Sequence, residues 1–417
     1  PRAVIEAMSR ALPAFGARTA GIPELLLPEC VFENCAVSQI AKMLDLSLPT
    51  VMKISDELSE AGIVKSIGKG ESRGGKRPEL IELIPDAYYM VGVDIGRSRT
   101  ISIIMDLNGD VLFRKTMETG QTNPPSELLD RVEELIKFTI DESKLQSNKL
   151  LGIGIVTPGL MDIDNGIIIF SPDFQWENVE IKKNFGQFFH LPVILENSNR
   201  ALALSEGWFG AAEKAKYFVC INLGYGIGSA IMEKEKFYLG NSGSSGELGH
   251  MTLEKEGPKC DCGNNGCLEA LASGKAIADR AKEAIANGTD TIILKYVDGN
   301  INKIEAKEVF EAAKAGDKCA KEIIDKAIEY LGIGIANYIN LLDPEMIVLA
   351  GGMTKNGSFF LDKLEKAISE RKMKFAGGNV KLEISKLGED AAAMGAATLI
   401  LKRFIEHGGD TMERRQK

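Results

Sequence analysis

The residues with the most chemistry per length in this 417-residue chain lie between positions 246 and 269. There Gly246-Glu247-Leu248-Gly249-His250 leads into Cys260-Asp261-Cys262-Gly263-Asn264-Asn265-Gly266-Cys267-Leu268-Glu269. Three thiols and one imidazole make a Cys3His set, which suits a tetrahedral Zn2+. Gly263 and Gly266 let the chain wrap tightly around an ion. Protein fills all four positions, so the expected zinc is structural and leaves no place for a catalytic water. The competing reading is a reactive or merely buried group of thiols. Of the seven cysteines (Cys30, Cys35, Cys220, Cys260, Cys262, Cys267 and Cys319), three fall within eight residues. Such crowding in a chain without an export signal points to metal over disulfides. Cys220, in an apolar strand, reads as a small buried hydrophobe. A metal-fixed loop would present Glu247 and Glu269. If one nitrogen of His250 binds the ion, the other is left to donate a hydrogen bond. Two acids and an imidazole suit the hydroxyls of a sugar.

A second constellation is a set of glycine turns that follow buried strands. Tyr89–Gly96 reads as an apolar strand ending in a turn, with Asp94 and Gly96 at its end. Ile101–Met105 and Val111–Thr116 form a hairpin about Asn108-Gly109. A helix over Ser126–Ile140 follows, then a strand over Leu150–Val156 that ends in Thr157-Pro158-Gly159. Tyr217–Leu223 repeats the pattern, ending in Gly224, Gly226 and Gly228 before Ser229–Met232. Strands alternating with helices predict α/β architecture, here run twice. Glycine turns allow backbone N–H groups to approach a phosphate closely. The expected lobes are residues 86–205 with about 388–417, and 206–387.

A third signal precedes Pro85-Asp86. Residues 1–29 are interrupted by Pro13, Gly16, Gly21, Pro23 and Pro28 and read as an accessory segment. A short helix spans Glu24–Glu33. Val37, Ile40, Ala41 and Leu44 then form a helical stripe. Ser47 can cap a helix that carries Val51, Ile54, Leu58 and Ala61 on one face and tolerates Pro49 in its first turn. Ile63–Lys65 and Leu80–Leu83 read as strands. Helix, helix, turn, helix, hairpin is the order of a winged helix-turn-helix, so residues 30–85 are expected to bind operator DNA. Ser47, Leu48, Thr50 and Lys53 would approach the major groove, and Arg73, Lys76 and Arg77 would form the wing tip. The net charge of −9 argues against indiscriminate nucleic-acid binding. Between Lys65 and Arg77, however, five basic residues face one acid, Glu71. The alternative is a three-helix protein-interaction module with a solvated charged loop.

These residues together resemble the ROK family of repressors, open reading frames and kinases, over roughly residues 30–400. The carrying motifs are the E-x-G-H followed by C-x-C-G-x-x-G-C-x-E, the wing Gly74-Gly75-Lys76-Arg77-Pro78, Asp94-Ile95-Gly96, Gly224–Gly228 and Gly351-Gly352. The resemblance implies an actin-like, ribonuclease-H-like two-lobed fold after a winged helix-turn-helix. It also implies a structural zinc on His250, Cys260, Cys262 and Cys267, and a sugar held by Asn197, Glu247, His250 and Glu269. In the kinases Asp94, Gly96, Gly224, Gly226, Gly228, Gly351 and Gly352 would serve ATP and Mg2+.

Two departures touch phosphoryl transfer. Where the kinases read Glu-Asn-Asp-Ala-Asn, this chain has Glu196-Asn197-Ser198-Asn199-Arg200, and serine cannot take the sugar proton at neutral pH. Loss of a positioned base costs about 10²–10⁴ in rate. The glycine that follows Gly96 in the kinases is replaced by Arg97, which would crowd a phosphate or pair with an anion such as a sugar phosphate. The expectation is a cytoplasmic, dimeric or dimer-of-dimers repressor that senses a sugar or sugar phosphate and has lost kinase activity. The alternative is an ATP-dependent sugar kinase with an accessory DNA-binding domain. Trp176 either lines the sugar cleft or packs under a loop, Trp208 is expected in the core, and His190 and His407 at the surface. No stretch approaches the roughly 20 apolar residues of a membrane span.

Overall fold

The computed structural model describes residues 35–43, 46–69, 79–374 and 380–406. The chain forms two compact units, one from residues up to Phe209 together with Asp390 onward, the other from Gly210–Glu389. Among the described residues no helix is long and apolar enough to cross a membrane.

The first unit opens with β1 (Cys35–Ala36), α1 (Val37–Met43), α2 (Leu48–Glu60), β2 (Val64–Lys69) and β3 (Glu79–Leu83). The strands make an antiparallel sheet in the order β1-β3-β2. Helix α2 starts where the sequence predicts, because the Ser47 hydroxyl accepts the Thr50 N–H at 3.3 Å and satisfies a donor that the first turn leaves over. It ends at Ala61, and Gly62 follows at φ +71°, a left-handed turn that glycine adopts without strain. Val37, Ile40, Ala41, Val51, Ile54, Leu58, Ile63, Ile81 and Leu83 are buried, whereas Ala61, expected on the same stripe, is exposed because the helix has already stopped there. The segment 1–29, the helix over Glu24–Glu33, and Leu44 lie outside the described residues, as do Cys30 and His407.

The body of this unit is a sheet in the order β11-β7-β4-β5-β6, built from β4 (Tyr89–Ile95), β5 (Arg99–Asp106), β6 (Val111–Glu118), β7 (Leu150–Thr157) and β11 (Val193–Asn197). The β4-β5-β6 pairs are antiparallel, and β4-β7-β11 run parallel. A smaller antiparallel sheet joins β8 (Leu160–Asp162), β9 (Ile167–Ser171) and β10 (Trp176–Glu180), followed by α4 (Ile181–Phe189). One face of the main sheet packs Val91, Val93, Ile153 and Ile155 against Leu128, Val132 and Ile136 of α3 (Pro125–Ser143). Trp176 joins that core, fully buried, and its Nε1–H donates to the Thr122 carbonyl at 2.7 Å. Helix α11 (Ala391–Glu406) covers β4 and β7 and also packs on α5 (Ser198–Phe209). Approach is close because the contacts are glycine against alanine. A Cβ on Gly92 would lie 2.0 Å from the Ala393 carbonyl oxygen, and one on Gly154 1.9 Å from that of Ala396. Trp208 is buried, and His190 is exposed.

The second unit repeats this topology with the order β14-β13-β12-β15-β16. Its strands are β12 (Tyr217–Leu223), β13 (Ile227–Glu233), β14 (Lys236–Phe237), β15 (Met346–Ala350) and β16 (Lys381–Ile384). Again β12, β13 and β14 pair antiparallel, and β12, β15 and β16 run parallel. The helices are α6 (Leu268–Ala272), α7 (Gly274–Ala286), α8 (Ala306–Lys314), α9 (Lys318–Leu342) and α10 (Ser358–Ser369). Their apolar faces meet Val219, Ile221, Leu223, Ile347 and Leu349 in one core. Cys220 is buried in β12.

Candidate functional site

The loop between β14 and α6 carries the metal-type cluster. The ligand atoms of His250, Cys260, Cys262 and Cys267 all lie within 4.8 Å of one another. Cys262 Sγ and Cys267 Sγ are 3.7 Å apart, as are Cys260 Sγ and His250 Nδ1. A tetrahedron with metal–sulfur bonds of about 2.3 Å has edges of about 3.8 Å, so the four groups fit one divalent ion. The backbone makes this spacing possible. Gly263 and Gly266 sit at φ +96° and +65°, and a Cβ on Gly266 would lie 1.6 Å from the Glu254 carbonyl oxygen. Cys260 N–H donates to Asn264 at 2.8 Å, and Gly266 N–H to Pro258 at 2.8 Å. Burial, reinforced by the neighbouring thiols, pushes Cys267 up to about 12 and raises Cys260. Thiols left alone here stay protonated; a cation among them is what favours the thiolates.

The same loop and the start of α6 present the two glutamates within the second unit. His250 turns Nδ1 to the sulfurs, while its Nε2 lies 3.9 Å from Glu247 Oε2 on the solvent side. Glu247 is exposed and Glu269 half-buried. Glu269 lies two residues after Cys267, on α6, and its Oε2 accepts the Ile227 N–H at 2.8 Å. That bond ties the metal loop to the Gly224–Gly228 turn. A Cβ at position 226 would meet Glu269 Oε2 at 2.5 Å, so a larger residue there would push that carboxylate aside. Gly224 accepts from Gly274 N–H at 2.9 Å, at the start of α7. Gly351, at φ +93°, closes on the same turn: a Cβ would lie 2.5 Å from the Leu223 carbonyl oxygen. Gly352 has open space beside it, and Gly228 is part of β13. The second unit thus gathers Gly224, Gly226 and Gly351. Sequence reasoning missed Ser229 and Tyr338. Ser229 Oγ donates to the Gly246 carbonyl at 2.5 Å, and Tyr338, raised by burial, feels both Ser229 and Glu247. The available signal was Tyr338 among the apolar residues Ile333, Ile335, Ala336 and Ile339 of α9.

The first unit holds the remaining positions. Asp94 is half-buried at the end of β4, and burial pushes its carboxyl up to about 7 against the pull of Arg99. Gly96 N–H donates to Arg99 at 3.1 Å, and its carbonyl accepts from Thr119 at 2.6 Å. Arg97 pairs with Asp173 at 2.9 Å, so a protein carboxylate supplies the anion that the sequence sought in a ligand. Asn197 acts as the cap of α5. Its Oδ1 accepts Asn199 N–H at 2.9 Å, and its Nδ2 donates to the Gly159 carbonyl at 3.1 Å. Ser198 is the first residue of α5 and half-buried. Beneath it Glu196 and Arg200 form a buried pair, Arg200 Nε donating to Glu196 Oε1 at 2.6 Å. Burial nevertheless raises Glu196, with Arg200 opposing.

At the N-terminal helices Leu48 is 45% exposed and Lys53 exposed, near Glu57 at 3.9 Å. Thr50 is half-buried, its hydroxyl 2.7 Å from that of Ser47. Arg73, Lys76 and Arg77 lie outside the described residues.

Two units of one topology, each a five-stranded mixed sheet with helices, are the actin-like, ribonuclease-H-like sugar-kinase fold. The ROK family pattern matches residues 90–403, and the chain belongs to the ROK family. The xylose repressor of Caldicellulosiruptor bescii is 31% identical over 92% of this chain and 96% of its own length. The glucokinase of Thermotoga maritima is 33% identical over 76% of this chain and 98% of its own. A solved ROK family transcriptional regulator, described as a homologue of the E. coli MLC protein, superposes with a TM-score of 0.76 at 26% identity and covers 98% of each chain.

Proposed function

We propose that this chain is a sugar-responsive transcriptional repressor of carbohydrate genes, cytoplasmic, and acting as a homodimer on operator DNA. The observation that carries the reading is where the similarity stops. The repressor relative matches along 92% of the chain, whereas the glucokinase, matched over 98% of its own length, accounts for only 76% of this one. The family pattern begins at residue 90, so α1, α2 and the β1-β3-β2 sheet precede it, and we read them as a winged helix-turn-helix. Ser47, Leu48, Thr50 and Lys53 lie in or next to the first turns of α2, with Arg73, Lys76 and Arg77 assigned to the wing. In the second unit Glu247, His250 and Glu269 are assigned to sugar hydroxyls. Zn2+ on His250, Cys260, Cys262 and Cys267 would hold their loop and supply no chemistry of its own. Asn197 enters through the one amide hydrogen that Gly159 leaves it. For the sugar to control DNA binding it must favour one conformation of the protein over another, since equal affinity shifts nothing.

A kinase reading is favoured by one observation: Asp94, held near 7, is a carboxyl that could accept a proton at neutral pH. ATP-dependent phosphorylation of a panel of hexoses, pentoses and N-acetyl sugars separates the two, with thermal shift by sugar alone run beside it. The repressor reading expects no turnover and a sugar-induced rise in melting temperature. Kinase-like turnover by the parent chain overturns it.

A further inference from the structure

Among the described residues, the sheet of the second unit ends at the four-residue strand β16, which pairs only with β15. Lys381 N–H donates to Glu345 and Ser385 N–H to Leu349, at 3.1 and 2.8 Å, so residues 381, 383 and 385 turn their backbone groups toward β15. By the two-residue period of a strand, Val380, Leu382 and Ile384 turn theirs outward. Beside this edge runs a groove of about 420 Å³ between α10 and β16, with Leu361, Leu382 and Ile384 in its walls. Ile384 is 37% exposed. An open edge of this kind is a template for another strand.

The side chains say which strand. We propose that β16 pairs antiparallel with β16 of a second copy of this chain about a two-fold axis through Leu382, which joins the two second-unit sheets into one. This names the interface of the homodimer invoked above and rests on that part of the functional reading. In this register Leu382 faces its own copy, and Val380 faces Ile384 of the other. These are the positions whose backbone groups point outward, so each pair exchanges N–H and C=O bonds. Lys381 then stands opposite Glu383 of the partner copy, and Glu383 opposite its Lys381. Those are the non-hydrogen-bonded positions, where side chains approach most closely and opposite charges stabilise the pair. Among the described residues neither Lys381 nor Glu383 has an ion-pair partner of its own. A two-fold interface must be complementary to itself, and a strand reading Lys-Leu-Glu is so in this register.

Sedimentation velocity on the full chain tests the surface with Lys381→Glu and Glu383→Lys. Each variant alone places like charges at both contacts and is expected to raise the dimer dissociation constant roughly tenfold or more. An equimolar mixture restores opposite charges at both contacts and is expected to recover parent-like association, which also proves that each variant is folded. Variants that dimerise as tightly as the parent, or a mixture no better than either alone, overturn this interface while leaving a homodimer through another face. A parent chain that is monomeric throughout overturns both the interface and the homodimer.

Discussion

Replacing Asp94 by asparagine should stabilise the protein, and by an amount that grows with pH. The carboxyl titrates near 3.8 when exposed and is pushed up to about 7 here by burial. Because the folded value lies above the unfolded one, the native state binds the proton more tightly. The resulting stability is fully present below about pH 3.8 and is lost as pH rises through about 7. The gap of about three units, at about 1.4 kcal/mol each, sets an upper bound of roughly 4 kcal/mol. Roughly 3 kcal/mol of it falls between pH 5 and pH 8. An asparagine side chain carries no such titration. The assay is urea unfolding of parent and Asp94→Asn across that range, compared as a difference so that other titrating groups cancel. The difference should widen in favour of the variant up to about pH 7 and then level off. A difference that stays constant with pH refutes a proton-holding Asp94. A difference that narrows places a cation closer to it than Arg99.

The metal loop and the tight packings give further tests. Dialysis against a strong chelator should remove a single zinc, read by elemental analysis, and lower the melting temperature, with Cys267→Ser preventing its rebinding; a chain that retains its melting temperature without metal counts against a structural ion. Gly226→Ala should drive the Glu269 carboxylate off Ile227 N–H and weaken any sugar-induced thermal shift at least about tenfold in sugar concentration, since the buried Ile227 N–H loses its acceptor. Gly154→Ala meets backbone at 1.9 Å and should cost about 3 kcal/mol or more in urea unfolding. Ser198→Asp supplies the missing carboxylate, and measurable ATP-dependent sugar phosphorylation only in that variant would identify position 198 as the step that was lost.

Periodicity made the elements legible. Alternating and apolar runs located β4, β5, β7, β12 and β13 to within a few residues, because buried strands carry their burial in their composition. The cap of α2 was readable because Ser47 and Pro49 act on their own neighbours. What could not be read were contacts between residues distant in sequence. Nothing local pairs Arg97 with Asp173, and the two-residue strand β1 is too short to leave a period. Asn197 was named through the family resemblance alone, and its bonds to Asn199 N–H and to the Gly159 carbonyl, 38 residues away, left no local trace. Conversely, the four metal-type residues were legible because a tight loop compresses them into one short stretch, and Glu269 was picked out beside them without its bond to Ile227.

Helix α11 has a consequence for the timing of synthesis. It covers β4 and β7 and leaves no room for a substitute, since Ala393 and Ala396 lie where Gly92 and Gly154 have no side chain. Yet it leaves the ribosome only after the whole Gly210–Glu389 stretch has been made. At about 5–20 residues per second the sheet of the first unit waits roughly ten to forty seconds, one face bare, for the segment that completes it. A nascent chain that stalls in that interval displays its N-terminal helices on an unfinished body. Such a fragment is a substrate for chaperones and proteases before it can occupy an operator, so only fully translated chains are expected to compete for DNA.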